Sequence, residues 1–436
     1  MPYDIIIGRD DADKKRFGKK GLIYFGKGYV TMGQYTSLSN PIYLDVSRSH
    51  VILVAGKRGS GKSYSLGVIA EELSQLPDEE KKNIAPIIFD TMGIFWTMKY
   101  ENEKEKMLLS EWNLKPKKLP VRVFVPYGKY DEYIKKGIPA DDGFSIKASE
   151  LDAEDWSLMF NLDIINPISI LIERIIEKLK KKSDYDITDI LSQIKEDTVS
   201  SANDKNAAGG LFEAAGTWGV FTKKGEMETK LADLLSPGAT TIVDLSVYNS
   251  IGAFNVRALV IGLVCRKLFN DRTFSRKQEE VEAVRHGIDY LSYQGKRETP
   301  LVWIFVDEAH EFLPRDGKTS ATDALVQILR EGRQPGISLV LATQQPGQIH
   351  KDVMTQSDVV ISHRLTAQPD LLALNEIMQS YLYQSIKKYI DDLPNLKGSA
   401  IILDDNSERI YPMRVRPKFT WHGGESPTSV KAEKRI

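Results

Sequence analysis

The stretch Val51-Ile52-Leu53-Val54-Ala55-Gly56-Lys57-Arg58-Gly59-Ser60-Gly61-Lys62-Ser63-Tyr64 decides the fold. It opens in a dense apolar run, His50 to Ala55, that reads as a buried strand, and it passes into a glycine-rich turn. From Tyr64 to Leu73 the apolar residues recur at helical spacing. Between strand and helix, Gly56 to Ser63 spells G-x-x-x-x-G-K-[ST], the phosphate-binding P-loop. The chemistry needs these residue types. Small residues let the backbone fold so that successive N–H groups converge on phosphate oxygens, and the following helix adds the positive end of its dipole. The predicted nucleotide contacts are Gly56, Lys57, Arg58, Gly59, Ser60, Gly61, Lys62, Ser63 and Tyr64. Lys62 is expected to reach the β- and γ-phosphates as a catalytic cation, and Ser63 to offer its hydroxyl to Mg²⁺.

Such a loop needs an acidic partner at the end of another strand. The apolar run Val302 to Val306 ends in Asp307-Glu308. Asp307 is expected to share the Mg²⁺ with Ser63, and Glu308, one residue on, to polarise the attacking water. The run Ser338 to Ala342 leads into Thr343-Gln344-Gln345. Ligands of doubly wound sheets sit at the carboxyl ends of the strands, so Gln344 is the expected γ-phosphate sensor. His310 completes the string Asp-Glu-Ala-His and reads as a local hydrogen-bonding residue.

Working outward, strands are expected at Ala85–Phe89, Val121–Val125, Thr241–Leu245, Val359–Ser362 and Ile401–Leu403, and a helix at Val256–Leu268. Strands alternating with helices predict an α/β chain with a mostly parallel sheet wrapped by helices. Residues 1–47 hold short apolar runs between turn signals and predict a small N-terminal β region. The core is expected over 48–140 and 236–412, interrupted by a helical insertion at 141–235. The charged stretch 276–299 reads as a surface excursion. The tail 413–436 has no periodicity and is expected to wrap over a surface.

Bulk properties narrow the function class. The 436 residues are 42% apolar and 27% charged, with 59 basic and 60 acidic residues for a net charge of −1. That balance excludes a simple basic nucleic-acid coat, but not a ring whose inner loops alone are basic. The single cysteine, Cys265, excludes an internal disulfide and fits a reducing, cytoplasmic setting. The N-terminus lacks an apolar signal region. The longest apolar stretch, Ala258 to Cys265, falls far short of the ~18 residues that a membrane span needs.

Taken in order, the P-loop, a long insertion, Asp307-Glu308-Ala309-His310, Leu329-Arg330-Glu331-Gly332-Arg333-Gln334-Pro335-Gly336 and Leu341-Ala342-Thr343-Gln344-Gln345-Pro346 resemble the HerA helicase/translocase branch of the HerA/FtsK ATPases. Thr420-Trp421-His422-Gly423-Gly424 resembles that branch too. The resemblance implies a RecA-like P-loop NTPase core, ATP with Mg²⁺ as the bound cofactors, and a homo-hexamer with nucleotide between subunits. It implies an arginine supplied across the interface, for which Arg333 is the leading candidate and Arg330, Arg364 and Arg48 the others. A guanidinium placed there stabilises charge developing on the γ-phosphate. It also implies passage of duplex DNA through a pore, with Leu313 to Ser320 as the pore loop and Arg315 and Lys318 as sequence-blind phosphate contacts. The chain departs from that branch in the short segment before the P-loop. A barrel of usual size is reduced or missing, which weakens the expectation of a nuclease partner. Two functions stay open beside a static nucleotide-bound ring: an ATP-hydrolysing motor on nucleic acid, and an ATP-dependent switch controlling a large partner such as a ribonucleoprotein particle.

Overall fold

The computed structural model describes residues 3–32, 35–182, 184–226, 228–249, 254–287, 299–377, 383–425 and 429. Thirteen strands among them hydrogen-bond into one sheet. In chain order they are β1 (Ile5–Ile7), β2 (Leu22–Met32), β3 (Tyr35–Asp45), β4 (Val51–Ala55), β5 (Ile84–Asp90), β6 (Val121–Pro126), β7 (Asp142–Phe144), β8 (Thr240–Asp244), β9 (Leu301–Val306), β10 (Ile337–Thr343), β11 (Val359–His363), β12 (Ser399–Asp404) and β13 (Arg409–Val415). Across the sheet they run β1-β3-β2-β13-β12-β11-β4-β10-β9-β5-β8-β6-β7.

From β11 to β7 every neighbouring pair is parallel. All those strands therefore deliver their carboxyl ends to one edge. β4 shows why its sequence is uniformly apolar. Leu53 and Ala55 pack into one core, with Leu171, Ile175 and Phe212 of the helical insertion. Ile52 and Val54 pack into the other, with Leu66, Ile69 and Leu73 of the P-loop helix Lys62–Leu73. A parallel strand covered on both faces has no solvated side to alternate toward.

Between β7 and β8 the chain forms the helices Ala153–Met159, Pro167–Leu179, Ile187–Glu196 and Ala202–Gly216. Each start is readable in the sequence. Asn166 caps Ile168 N ahead of Pro167, Asp186 and Asp189 form a capping box, and Ser201 caps Asp204 N. Leu171, Ile172, Ile175, Ile176 and Leu179 make the buried stripe of the second helix. Each contributes roughly 1.5–3 kcal/mol of burial.

The structure corrects two expectations and extends a third. The helix expected to stop at Leu268 runs Phe254–Arg285. The stretch from 276 to 285 is thus helical, because its charges pair along the helix: Arg276 with Glu280 at 3.0 Å and Arg285 with Glu282 at 2.8 Å. Residues 288–298 of the expected excursion lie outside the described residues. Up to Thr420 the tail is interior and not laid over a surface. β13 carries it to Val415 antiparallel to β12, and Arg416, Lys418 and Thr420 are buried. The N-terminal segment holds the two long strands β2 and β3, and β2 pairs antiparallel with β13, so this segment continues the sheet.

Candidate active site

β4 ends at Ala55 and hands the chain to the loop. Gly59 and Gly61 take φ of 73° and 113°. L side chains rarely adopt these values, so glycine is required at both. Gly56 N donates to Thr343 O at 3.3 Å and Lys57 N to Arg364 O at 3.1 Å, which ties the loop to the ends of β10 and β11. The first helical turn, Lys62 to Tyr64, has N–H groups with no intrahelical acceptor, as a helix start that binds an anion requires. Lys62 is buried, with Nζ 3.4 Å from Lys57 O. Burial lowers the pKa of its ammonium, while Glu308 and Asp307 act the other way.

Two strands across, β9 ends beside the loop. Asp307 Oδ2 accepts a 2.5 Å hydrogen bond from Ser63 Oγ. Burial raises the Asp307 pKa most, against the Ser63 bond and Lys62, with Glu308 adding to the rise. One hydroxyl and one carboxylate, both hard oxygens, suit Mg²⁺, which keeps water and phosphate as its other ligands. Glu308 takes a left-handed backbone, φ 52° and ψ 44°. Its Oε1 accepts from Gln344 Nε2, at the end of β10. Its Oε2 is buried with no hydrogen-bond partner among the described residues, and His310 Nδ1 stays 3.7 Å away. His310 bonds Thr343 Oγ1 at 3.2 Å, and burial followed by Lys62 lowers its pKa. A buried carboxylate oxygen without a donor is an acceptor in wait for a proton.

The family described as "Helicase HerA, central domain" matches residues 29–268, more than half of the chain. The chain belongs to the HerA family. The probable DNA double-strand break repair helicase HerA of Methanocaldococcus jannaschii is 22% identical over 396 residues, covering 85% of this chain and 72% of that protein. The DNA double-strand break repair helicase HerA of Pyrococcus furiosus is 26% identical over 191 residues, 40% of this chain and 32% of that protein. Among solved structures, VirB4 of Thermoanaerobacter pseudethanolicus shares the fold, with a TM-score of 0.56, 11% identity, and coverage of 91% of this chain and 96% of that one. This HerA-family chain is an ATPase with a RecA-like α/β core. No described helix is long and apolar enough to cross a membrane.

Within this HerA-family site, the side chains of Lys62, Ser63, Asp307, Glu308 and Gln344 stand together, and those of Tyr64, Lys57 and Arg58 point elsewhere. The Tyr64 side chain turns to the tail: its hydroxyl donates to Glu105 at 2.8 Å and accepts from Lys418 N at 2.7 Å. Lys57 and Arg58 have exposed side chains. Of the arginines, Arg330 pairs with Asp352 at 2.6 Å and Arg48 with Asp13 at 2.8 Å. Arg364 donates to Leu393 O at 2.7 Å. Arg333 is exposed with no partner among the described residues, in the turn before β10. The seven residues of β10 separate that turn from the phosphate edge, about 23 Å at roughly 3.3 Å per residue. Arg333 thus cannot serve its own loop. Lys318 pairs with Asp323 at 2.9 Å, while Arg315 makes one 3.3 Å contact with Gly347 O. Sequence reading also missed a clamp on the P-loop helix. Glu71, fully buried, accepts from Arg416 at 2.9 Å, Phe419 N at 3.0 Å and Thr420 N at 2.9 Å.

Proposed function

We propose that this chain is an ATP-driven motor of the HerA type that moves nucleic acid, duplex DNA foremost, through a homo-hexameric ring. The observation that carries the reading is the row of strand ends at which Ser63–Asp307 and Glu308–Gln344 meet beside Lys62. A static nucleotide-bound ring needs a lysine and a metal pair but has no use for a carboxylate poised on water.

In this reading the loop N–H groups and Lys62 hold the β- and γ-phosphates. Ser63 and Asp307 would hold Mg²⁺, which neutralises charge on the phosphates. Glu308 takes the proton of the attacking water on Oε2 while Gln344 orients its other oxygen. Arg333 of a neighbouring subunit stabilises the charge that develops as the γ-phosphate leaves. The relatives' printed names, DNA double-strand break repair helicase, point to DNA as the load.

A second reading, an ATP-dependent switch acting on a large partner such as a ribonucleoprotein particle, is favoured by one observation. The predicted pore loop has Lys318 neutralised by Asp323, in a chain of net charge −1. The ATPase rate with and without duplex DNA, at low and moderate salt, separates the two. A motor gives strong stimulation that added salt weakens. Hydrolysis indifferent to DNA at both salts moves the assignment to the switch.

A further inference from the structure

Two glycines of the phosphate loop rest on one buried histidine, His363. His363 closes β11 and is fully buried. A Cβ placed on Gly56 would fall 2.8 Å from His363 Cβ, and one on Gly61 would fall 3.6 Å from its Cε1. His363 therefore lies against both ends of the loop, its Cβ at Gly56 and its ring at Gly61. Its Nδ1 lies 3.1 Å from Ser399 O, and its Nε2 lies 2.8 Å from Ser65 Oγ. A carbonyl only accepts, so the proton is on Nδ1, and Nε2 of the neutral ring accepts from the Ser65 hydroxyl. Burial first, and Lys62 in addition, push the pKa of this histidine down to about 4, so the ring is neutral under working conditions. The next residue, Arg364, accepts the Lys57 N–H through its carbonyl, and its guanidinium is anchored on Leu393 O. One strand end thus grips the loop at Lys57 on its way in and at Ser65 on its way out.

We propose that His363 is a positioning residue for ATP hydrolysis. It holds the phosphate loop in the conformation that receives the nucleotide, by supporting Gly56 and Gly61 from below and by fixing Ser65. The proposal rests on the reading of Gly56 to Ser63 as the nucleotide site. The loop's N–H groups converge on phosphate oxygens only while the backbone keeps its left-handed glycines in place. A loop without its support must be reordered on each binding event, and that cost falls on affinity.

Steady-state ATPase kinetics and the dissociation constant of a non-hydrolysable ATP analogue test this on Ser65→Ala, His363→Phe, the double variant and Lys62→Ala. Phenylalanine keeps the ring's bulk and removes both hydrogen bonds. A buried hydrogen bond contributes about a factor of ten. Ser65→Ala is therefore expected to raise KM and the analogue's dissociation constant about five- to tenfold, with kcat within about twofold. The double variant should cost no more than His363→Phe alone, since both remove one contact. A residue that only stabilises the fold lowers the amount of active enzyme, and so the apparent kcat, and leaves KM unchanged. Unchanged KM in Ser65→Ala, or additive losses in the double variant, overturns the proposal. If His363→Phe does not fold, Ser65→Ala alone decides. Turnover that survives Lys62→Ala removes the nucleotide-site reading itself and the proposal with it.

Discussion

Glu308 holds a left-handed backbone that costs a non-glycine residue about 1–3 kcal/mol. Its neighbours offset that cost, and the geometry puts one oxygen on Gln344 and leaves the other free. Glu308→Gln is expected to retain ATP while turnover falls about 10²–10⁴-fold, the usual contribution of a general base. Equilibrium binding beside single-turnover hydrolysis checks it, and wild-type turnover would remove Glu308 from the mechanism. Arg333→Ala should leave nucleotide affinity nearly intact and cut turnover. Mixed with Lys62→Ala chains it should regain part of the activity, and mixtures that show no recovery would assign the arginine elsewhere. The residues in this row were legible in the sequence because each is fixed by its own strand end. The side chain of Tyr64 and the role of His363 were not. Their partners, Glu105 and Lys418 for Tyr64 and Ser399 and Ser65 for His363, lie from tens to hundreds of residues away, and no local pattern records such contacts.

Among the elements, the segment after β13 clamps the P-loop helix from outside. Arg416 and Glu71 are both fully buried and paired at 2.9 Å, and the guanidinium stacks 3.9 Å over the Phe419 ring. Removing one member of such a pair strands the other charge in the interior. Arg416→Ala should therefore lose about 3–5 kcal/mol in denaturant unfolding. A loss under about 1 kcal/mol would show the contact to be solvated. The same segment explains where reading by periodicity failed. Runs covered on both faces, such as β4, β9 and β10, announce themselves as unbroken apolar stretches. Arg409-Ile-Tyr-Pro-Met-Arg-Val is only partly covered and carries Pro412, and two of the buried residues beyond it, Arg416 and Lys418, are charged, so no apolar run marked the segment as interior. The long helix was cut short for a related reason: beyond Leu268 its surface is held by ion pairs instead of an apolar stripe.

At the scale of the molecule, His50 joins the N-terminal strands to the core. It bridges Asp358 Oδ2 at 2.6 Å, ahead of β11, and Asp45 Oδ2 at 3.2 Å, the last residue of β3. Asp45 is also bound by Arg9. Burial pulls the His50 pKa down, but Asp358 and Asp45 outweigh it and raise it to about 10. A raised folded-state pKa gives stability that is complete below the unfolded value of about 6.5 and disappears as pH climbs through about 10. The unfolding free energy of wild type minus that of His50→Gln should therefore shrink between those limits. A difference flat across that range would mean the imidazole is neutral when folded.

The distance from Arg333 to its own phosphate edge has a kinetic meaning. If Arg333 completes the centre of a neighbouring copy, a solitary chain carries two half-centres that can never meet. Rate per mole of enzyme would then depend on how much enzyme is in the tube, climbing steeply as copies find one another and flattening once they have. Dilution alone would switch the enzyme off, with every residue of it still correctly folded.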